Sequence, residues 1–447
     1  MTPEKSAPLM VAPFRLDALR DASPPDEPSS RGERAHRRAA AATRRRHRRR
    51  RVLVPLAVLV LLVVAAAAFV GIRLRSAAPP PTTTPVSLSS IGVPTKTVPL
   101  PWPTMGQGAV DIPSVGAEEV SGPEQPVPVA SLTKLMTAYV ILRDHPIAPN
   151  ETGPQITVTQ ADVDDYNTDT VSDDSNAQVT IGEQLTELQV LEGLLIHSAD
   201  NYADLLARWD AGSVPAFVAK MNAAAATLGM HQSHFADASG VSPQSMSTAA
   251  DILKAAAADM AHPVVDSIVD NTSVTLPVAG TISTYTPLLG LDGIVGVKSG
   301  FTTAAGGCDV VAVVRPVHGH PTLLLAAVTG QEQANALAAA GLHGLALVNA
   351  VQPLIGTTNV LRSGVTAAHV AAAGQSVGAS TTAPVSMLTW PGVSAARVFH
   401  PGHQVSDQAK RGARVGTVVV TVGTQRAVVP VRLTRDIPQR SMLQRIF

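Results

Sequence analysis

Residues 52–72 (VLVPLAVLVLLVVAAAAFVGI) are apolar throughout and carry no charge. A helix needs roughly 20 such residues to cross a hydrocarbon core, so this run predicts a transmembrane helix. Further along, apolar positions recur at helical spacing in 131–143 (SLTKLMTAYVILR), 183–195, 202–209, 216–228 and 248–260, the last with Ser247 as its expected cap. Short β-branched runs at 293–299, 309–314 and 322–328 predict strands, and 334–351 returns to a helical pattern. Together these predict an α+β domain over 104–352, with helices around an antiparallel sheet whose strands cluster late in the chain. From 353 to 437 the composition shifts to Val, Thr, Ala and Gly, and the turn at Gly423 to Gln425 lies between two β-branched runs. That pattern predicts a small all-β domain, with 438–447 as a tail.

The remaining segments lack periodicity. Residues 1–51, rich in Pro, Arg and Ala, predict a disordered tail, and the Pro, Thr and Ser of 73–103 predict a stiff, extended spacer. Charge adds topology. The chain of 447 residues has 34 basic and 34 acidic side chains, but the balance hides a basic run at 31–51 and an acidic one at 162–174. Because the arginines stop against the apolar stretch, they read as a topology signal rather than a nucleic-acid site, and no nucleic-acid partner is expected. They place the N-terminus in the cytoplasm and everything after Arg75 outside the cytoplasmic membrane, in a single pass. A leader this long predicts an uncleaved anchor, with cleavage at the small residues 76–78 as the alternative. The lone cysteine, Cys308, excludes an intramolecular disulfide and reads as a buried small side chain in the run GGCDVVAVV.

Three short motifs carry the chemistry: Ser131-Leu-Thr-Lys134, Ser198-Ala-Asp200-Asn201 and Lys298-Ser299-Gly300. A serine hydroxyl is a poor nucleophile unless a base takes its proton, and a residue three positions along a helix lies within reach. Lys134 is therefore the candidate base for Ser131, provided its surroundings disfavour its charge. Lys298 supplies a neighbouring cation. Ser198 is placed to relay protons to the leaving amine, and Lys298, Ser299 and Thr302 to bind a terminal carboxylate. Ser131 alone reads as a helix cap and Lys298-Ser-Gly alone as a turn; their joint order favours catalysis. His318 and His320 have no third ligand nearby and read as a surface loop, so no metal or cofactor is expected. His197 reads as a support beside Ser198.

At these residues the chain resembles the low-molecular-weight penicillin-binding proteins, the D-alanyl-D-alanine carboxypeptidases of serine peptidase family S11. The blocks PVASLTKLMTAYVIL, GEQLTELQVLEGLLIHSADNYADLLA, HFADASGVSPQSMSTAADIL and DGIVGVKSGFTTAAGGC carry the likeness, over about 127–351. The resemblance implies a fold like that of penicillin-binding proteins and serine β-lactamases, followed by a β-rich domain. It also implies acylation of Ser131 by a peptidoglycan stem peptide, release of terminal D-alanine, hydrolysis, and reaction of the same serine with β-lactam antibiotics. The oxyanion hole would be formed by the backbone N–H of Ser131 and that of Phe301 or Thr302. The family's middle motif is Ser-x-Asn, whereas here Asp200 holds the third position with Asn201 beside it, and either fills the site. An aspartate there supports a second reading, a catalytically impaired penicillin-binding protein that binds stem peptides or organises wall synthesis. A β-lactamase shares the motifs, but the anchor and the β-rich tail argue against it.

Overall fold

The structure, a computed structural model, describes residues 32–75, 79–97, 99–441, 443 and 446, with side chains from Leu53 onward. Residues 79–439 form one compact unit; the N-terminal part to Ala78 groups with 440–447 in another.

In the N-terminal unit a single helix, α1 (Gly32–Arg75), extends through residues where disorder was expected. Alanine and arginine are strong helix formers and prolong the helix begun by the apolar stretch. Residues 1–31 of the expected tail lie outside the described residues. The part from Leu53 to Arg75 has a mean hydropathy of 3.0, is nowhere buried, and is long and apolar enough to cross a membrane.

The larger unit opens with four strands, β1 (Thr82–Pro85), β2 (Ile91–Gly92), β3 (Gln107–Ile112) and β4 (Ala117–Val120). Helices α2 (Thr133–Asp144), α3 (Gln160–Ser172), α4 (Glu187–Ile196), α5 (Asp200–Ala211), α6 (Val214–Thr227), α7 (Ala249–Met260) and α8 (Pro263–Val269) follow. Then come β5 (Ile294–Thr302), β6 (Gly306–Val317), β7 (His320–Gln331) and α9 (Ala336–Val351). The C-terminal part contributes β8 (Thr366–Ala372), β9 (Gln375–Thr381), β10 (Ser394–Pro401), β11 (Arg414–Val422) and β12 (Gln425–Leu433).

A five-stranded antiparallel sheet, in the order β5-β6-β7-β3-β4, separates two apolar layers. One layer is the helical core around Leu135, Leu191, Tyr202 and Phe235; the other lies beneath α9, whose Ala340, Leu347 and Val348 are fully buried. Cover on both faces explains why β6 reads as an unbroken apolar run rather than an alternating one. It also explains why α9, apolar enough to span a membrane, is instead a core helix. The sheet is not confined to the late sequence as expected, because β3 and β4 precede the helices. Both are short, and edge strand β4 exposes Glu118 and Glu119, so neither shows a strong apolar pattern.

Local hydrogen bonds move some expected boundaries. Helix α4 begins at Glu187 rather than near 183, where Thr186 and Gln189 form a capping box. The cap of α7 is Thr248, whose side chain accepts from the Asp251 N–H at 3.1 Å, and not Ser247, whose hydroxyl lies 2.7 Å from that of Ser233. The acidic run is helix α3, with its own capping box at Thr159 and Asp162 and an ion pair from Arg208 to Asp162 at 2.7 Å.

The largest departure concerns the expected spacer. The C-terminal sheet has seven strands in the order β1-β8-β9-β12-β11-β10-β2, so its two outermost strands come from residues 82–92. Thr82 pairs with Ala371 and Pro85 with Ala368, while Ile91 pairs with Ala395. Consecutive threonines favour strand, and an edge position tolerates the missing N–H of Pro85. The Arg397 guanidinium adds a hydrogen bond to the Ser89 carbonyl at 2.8 Å. This β-rich part docks on the β3–β4 hairpin: the Trp390 indole donates to Glu119 at 3.0 Å, and the Gln425 amide donates to the Ser114 carbonyl at 2.8 Å. A protein beginning at Val93 should therefore melt below one beginning at Pro79. The expected drop is roughly 2–4 °C for each kcal/mol lost, read by scanning calorimetry, and equal melting temperatures would mean that the two strands add no stability.

Candidate active site

Ser131 sits in a single 3-10 turn, Ala130–Leu132, that leads directly into α2. Ala130 takes a φ of +48°, a region that non-glycine residues enter at a cost, so neighbouring structure must hold the turn. Two glycines allow that hold. A Cβ at Gly300 on β5 would come within 2.7 Å of the Ser131 nitrogen, and one at Gly240 within 1.9 Å of the Ala130 oxygen. Strand β5 and the loop before α7 thus press on the backbone of Ala130 and Ser131 from separate elements.

Lys134 lies in the first turn of α2 and is completely buried. Its Nζ donates to Ser131 Oγ at 2.9 Å, to the Ser239 carbonyl at 2.8 Å and to Asp200 Oδ1. The open question in the middle motif is answered by Asn201, which faces away: its Oδ1 accepts from the Ala177 N–H at 3.0 Å and its Nδ2 donates to the Ala177 carbonyl at 2.9 Å. Asp200 occupies the position beside the lysine. Burial pushes its carboxyl up from the ordinary value, with the Lys134 charge opposing. Ser198, also buried, holds a φ of +61° at the turn into α5.

On β5, Lys298 and Ser299 are buried, and the Lys298 Nζ donates to the Ser299 carbonyl at 2.6 Å. Burial and then the Lys134 charge push Lys298 down to about 7, against the pull of Asp200 and Asp309. Thr302 is half-buried and its Oγ1 accepts from the Ala305 N–H at 3.1 Å. Phe301 is 56% exposed, and with Tyr285, Glu332 and Asn335 it lines a groove of about 630 Å³. His197 stands beside the motif: its Nδ1 lies 2.7 Å from the Ser283 carbonyl oxygen, and its ring stacks on Tyr285 with centroids 4.8 Å apart. His318 is in the β6–β7 turn, its Nε2 3.0 Å from the Ile355 carbonyl oxygen. Cys308 is buried, which pushes its thiol up to about 12 and leaves it unreactive.

The Ser239 carbonyl was not foreseen, since a backbone acceptor has no side-chain signature. Its loop is held by Asp237, which accepts from the N–H groups of Gly240 at 3.0 Å and Ser242 at 2.8 Å. An Asp followed three residues later by Gly was the readable sign of such a turn.

The model of the peptidase S11 family, described as D-alanyl-D-alanine carboxypeptidase, matches residues 120–321. A D-alanyl-D-alanine carboxypeptidase of Mycobacterium tuberculosis is 32% identical over 232 residues, covering 50% of this chain and 75% of that protein. This chain belongs to the S11 family. A Streptomyces D-alanyl-D-alanine carboxypeptidase is 30% identical over 202 residues, covering 41% of this chain and 67% of the relative. An Escherichia coli D-alanyl-D-alanine endopeptidase is 28% identical over 226 residues, 47% of this chain and 68% of that one. The fold is also that of the D-alanyl-D-alanine carboxypeptidase from Francisella tularensis, with a TM-score of 0.52 at 17% identity over 79% of this chain and 98% of that one.

For an S11 site built this way, Asp200→Asn should move the alkaline limb of D-alanine release to lower pH. The sign follows from Lys298: Asp200 helps to hold its proton, so loss of that charge lets Lys298 deprotonate earlier. Asn201→Ala should leave the limb in place and lower stability by about 1–3 kcal/mol through its two lost hydrogen bonds. pH–rate profiles beside thermal melts read both, and an unmoved limb in Asp200→Asn would contradict the arrangement.

Proposed function

We propose that this chain is a membrane-anchored, serine-type D-Ala-D-Ala carboxypeptidase that removes the terminal D-alanine from peptidoglycan stem pentapeptides through a Ser131 acyl-enzyme, and that β-lactams acylate the same serine. The observation that carries this reading is the hydrogen bond from the buried Lys134 to Ser131 Oγ, with Asp200 against the same lysine. Asp200 is where Lys134 leaves a proton. The freed amine then accepts the Ser131 proton as Oγ attacks the carbonyl of the penultimate D-alanine. Backbone N–H groups of Ser131 and Phe301 hold the oxyanion. Ser198 passes the proton to the departing D-alanine nitrogen, and a water molecule, activated by the same lysine, hydrolyses the ester. Lys298, Ser299 and Thr302 bind the terminal carboxylate, which explains a requirement for a free chain end. The helix over Leu53–Arg75 anchors the enzyme, with its arginine-rich side in the cytoplasm and the site outside.

The Asp200 contact also favours one competing reading, in which the ion pair keeps Lys134 from acting as a base and the protein binds stem peptides without turnover. Labelling by a fluorescent penicillin together with release of D-alanine from a pentapeptide separates the two. The wild type should do both, and Ser131→Ala neither. Lys298→Ala should lose about tenfold or more in kcat/KM, as expected for a lost charge-assisted hydrogen bond. Wild-type labelling without D-alanine release would favour the binding protein, and labelling that survives in Ser131→Ala would assign the nucleophile elsewhere.

A further inference from the structure

The peptide unit between Ser239 and Gly240 is held at both ends. Its carbonyl accepts from Lys134 Nζ at 2.8 Å, and its N–H, that of Gly240, donates to Asp237 Oδ1 at 3.0 Å. In a planar trans peptide the C=O and N–H point in opposite directions, so a carboxylate that fixes one end aims the other. Asp237 Oδ2 accepts from the Ser242 N–H at 2.8 Å, and the Ser245 hydroxyl donates to Oδ1, which closes the loop around the carboxylate. A second hold comes from α2, where Thr137 Oγ1 donates to the Ala238 carbonyl at 2.7 Å. Lys134 and Thr137 are three residues apart, so two consecutive carbonyls of the loop are bound along one face of that helix.

What this carbonyl does follows from the geometry of an amine. Charged, Lys134 Nζ carries three hydrogens, and three acceptors surround it: Ser131 Oγ, Asp200 Oδ1 and the Ser239 oxygen. Uncharged, it keeps two hydrogens and one lone pair. The Ser239 oxygen can only accept, whereas the Ser131 hydroxyl and a protonated Asp200 can also donate. Turning the lone pair toward Ser239 would leave a buried carbonyl without a partner, a cost that the other two orientations do not carry. The lone pair is thereby limited to Asp200, where Lys134 leaves a proton, and Ser131, where it takes one.

On the reading of Lys134 as the base for Ser131, we propose that Asp237 is a positioning residue: it fixes the peptide unit that presents the Ser239 carbonyl, and that carbonyl keeps the lysine lone pair on its two reacting partners. Gly240 extends the same link to the nucleophile. Its φ is +88°, and a Cβ there would come within 1.9 Å of the Ala130 oxygen and 2.7 Å of Thr133 Oγ1. One loop thus braces both the turn that carries Ser131 and the rotation of the amine that activates it.

The test uses the full-length protein in detergent and follows acylation by benzylpenicillin over time, separating the initial binding constant from the acylation rate constant, beside thermal melts. In Asp237→Ala acylation should slow about tenfold or more while initial binding stays within about twofold, the pattern of a base that has lost its orientation with ligand contacts intact. Asp237→Asn keeps one oxygen for the Gly240 N–H and should recover to within about threefold of the wild type. Asp251→Ala is the structural control. Asp251 accepts from the Gln232 N–H at 2.8 Å and the Ser233 hydroxyl at 3.0 Å, in the turn just before the same loop, so its loss should lower the melting temperature and leave the acylation rate unchanged. Acylation of Asp237→Ala at the wild-type rate, equal slowing in Asp251→Ala, or Asp237→Asn as slow as Asp237→Ala overturns the proposal. If Asp237→Ala does not fold, Asp237→Glu takes its place, with the carboxylate kept but moved one methylene off the Gly240 N–H, and acylation at the wild-type rate there overturns the proposal equally. A wild type that benzylpenicillin does not acylate would overturn the function and this inference with it, whereas an acylated wild type with unslowed variants would overturn this inference alone.

Discussion

The contact between Gly300 and the backbone of Ser131 is the constraint on which the site depends. Strand and nucleophile turn approach so closely that position 300 has no space for a Cβ. Three consequences follow. The sheet is locked to the helical layer at the turn that holds Ser131, Ser299 and Lys298 sit one and two residues along the strand from that contact, and Phe301 follows directly after it. The strained Ala130 is held between β5, where Gly300 lies against its Cβ and the Ser131 nitrogen, and Gly240, which lies against its carbonyl oxygen.

Behind that contact lies an interior unusual in its charge. Lys134, Asp200 and Lys298 are each at most 5% exposed. Burying charges costs more than pairing usually returns, so such a cluster does little for stability and is better explained by what it does to protons. Lys134 makes three hydrogen bonds, to Ser131, Asp200 and Ser239, which fix its position against the Ser131 hydroxyl. The aspartate in place of the family's asparagine gives the lysine an anionic hydrogen-bond acceptor.

What was legible in the sequence was mostly local. Ser131 and Lys134 are one helical turn apart, and Lys298, Ser299 and Gly300 are consecutive, so chemistry and spacing could be read together. The anchor and the apolar strands β5 to β7 were readable because each is a continuous run. The choice between Asp200 and Asn201 was not, since it depends on Ala177, which anchors Asn201 from a distant loop. Strands β1 and β2 were hidden because a Pro- and Thr-rich segment reads as a spacer until its partners are known.

Those two strands make the C-terminal sheet a closure of the chain upon itself. The residues that form its outer edges are synthesised before the catalytic part, and the inner strands they pair with are synthesised after it. Such pairing has very high contact order, so the sheet cannot be completed until nearly the whole chain is available. Until then β1 and β2 remain unpaired strands, open to wrong partners. The last domain to be made is therefore the one that seals the first segment, and a truncated chain would carry its defect at both ends.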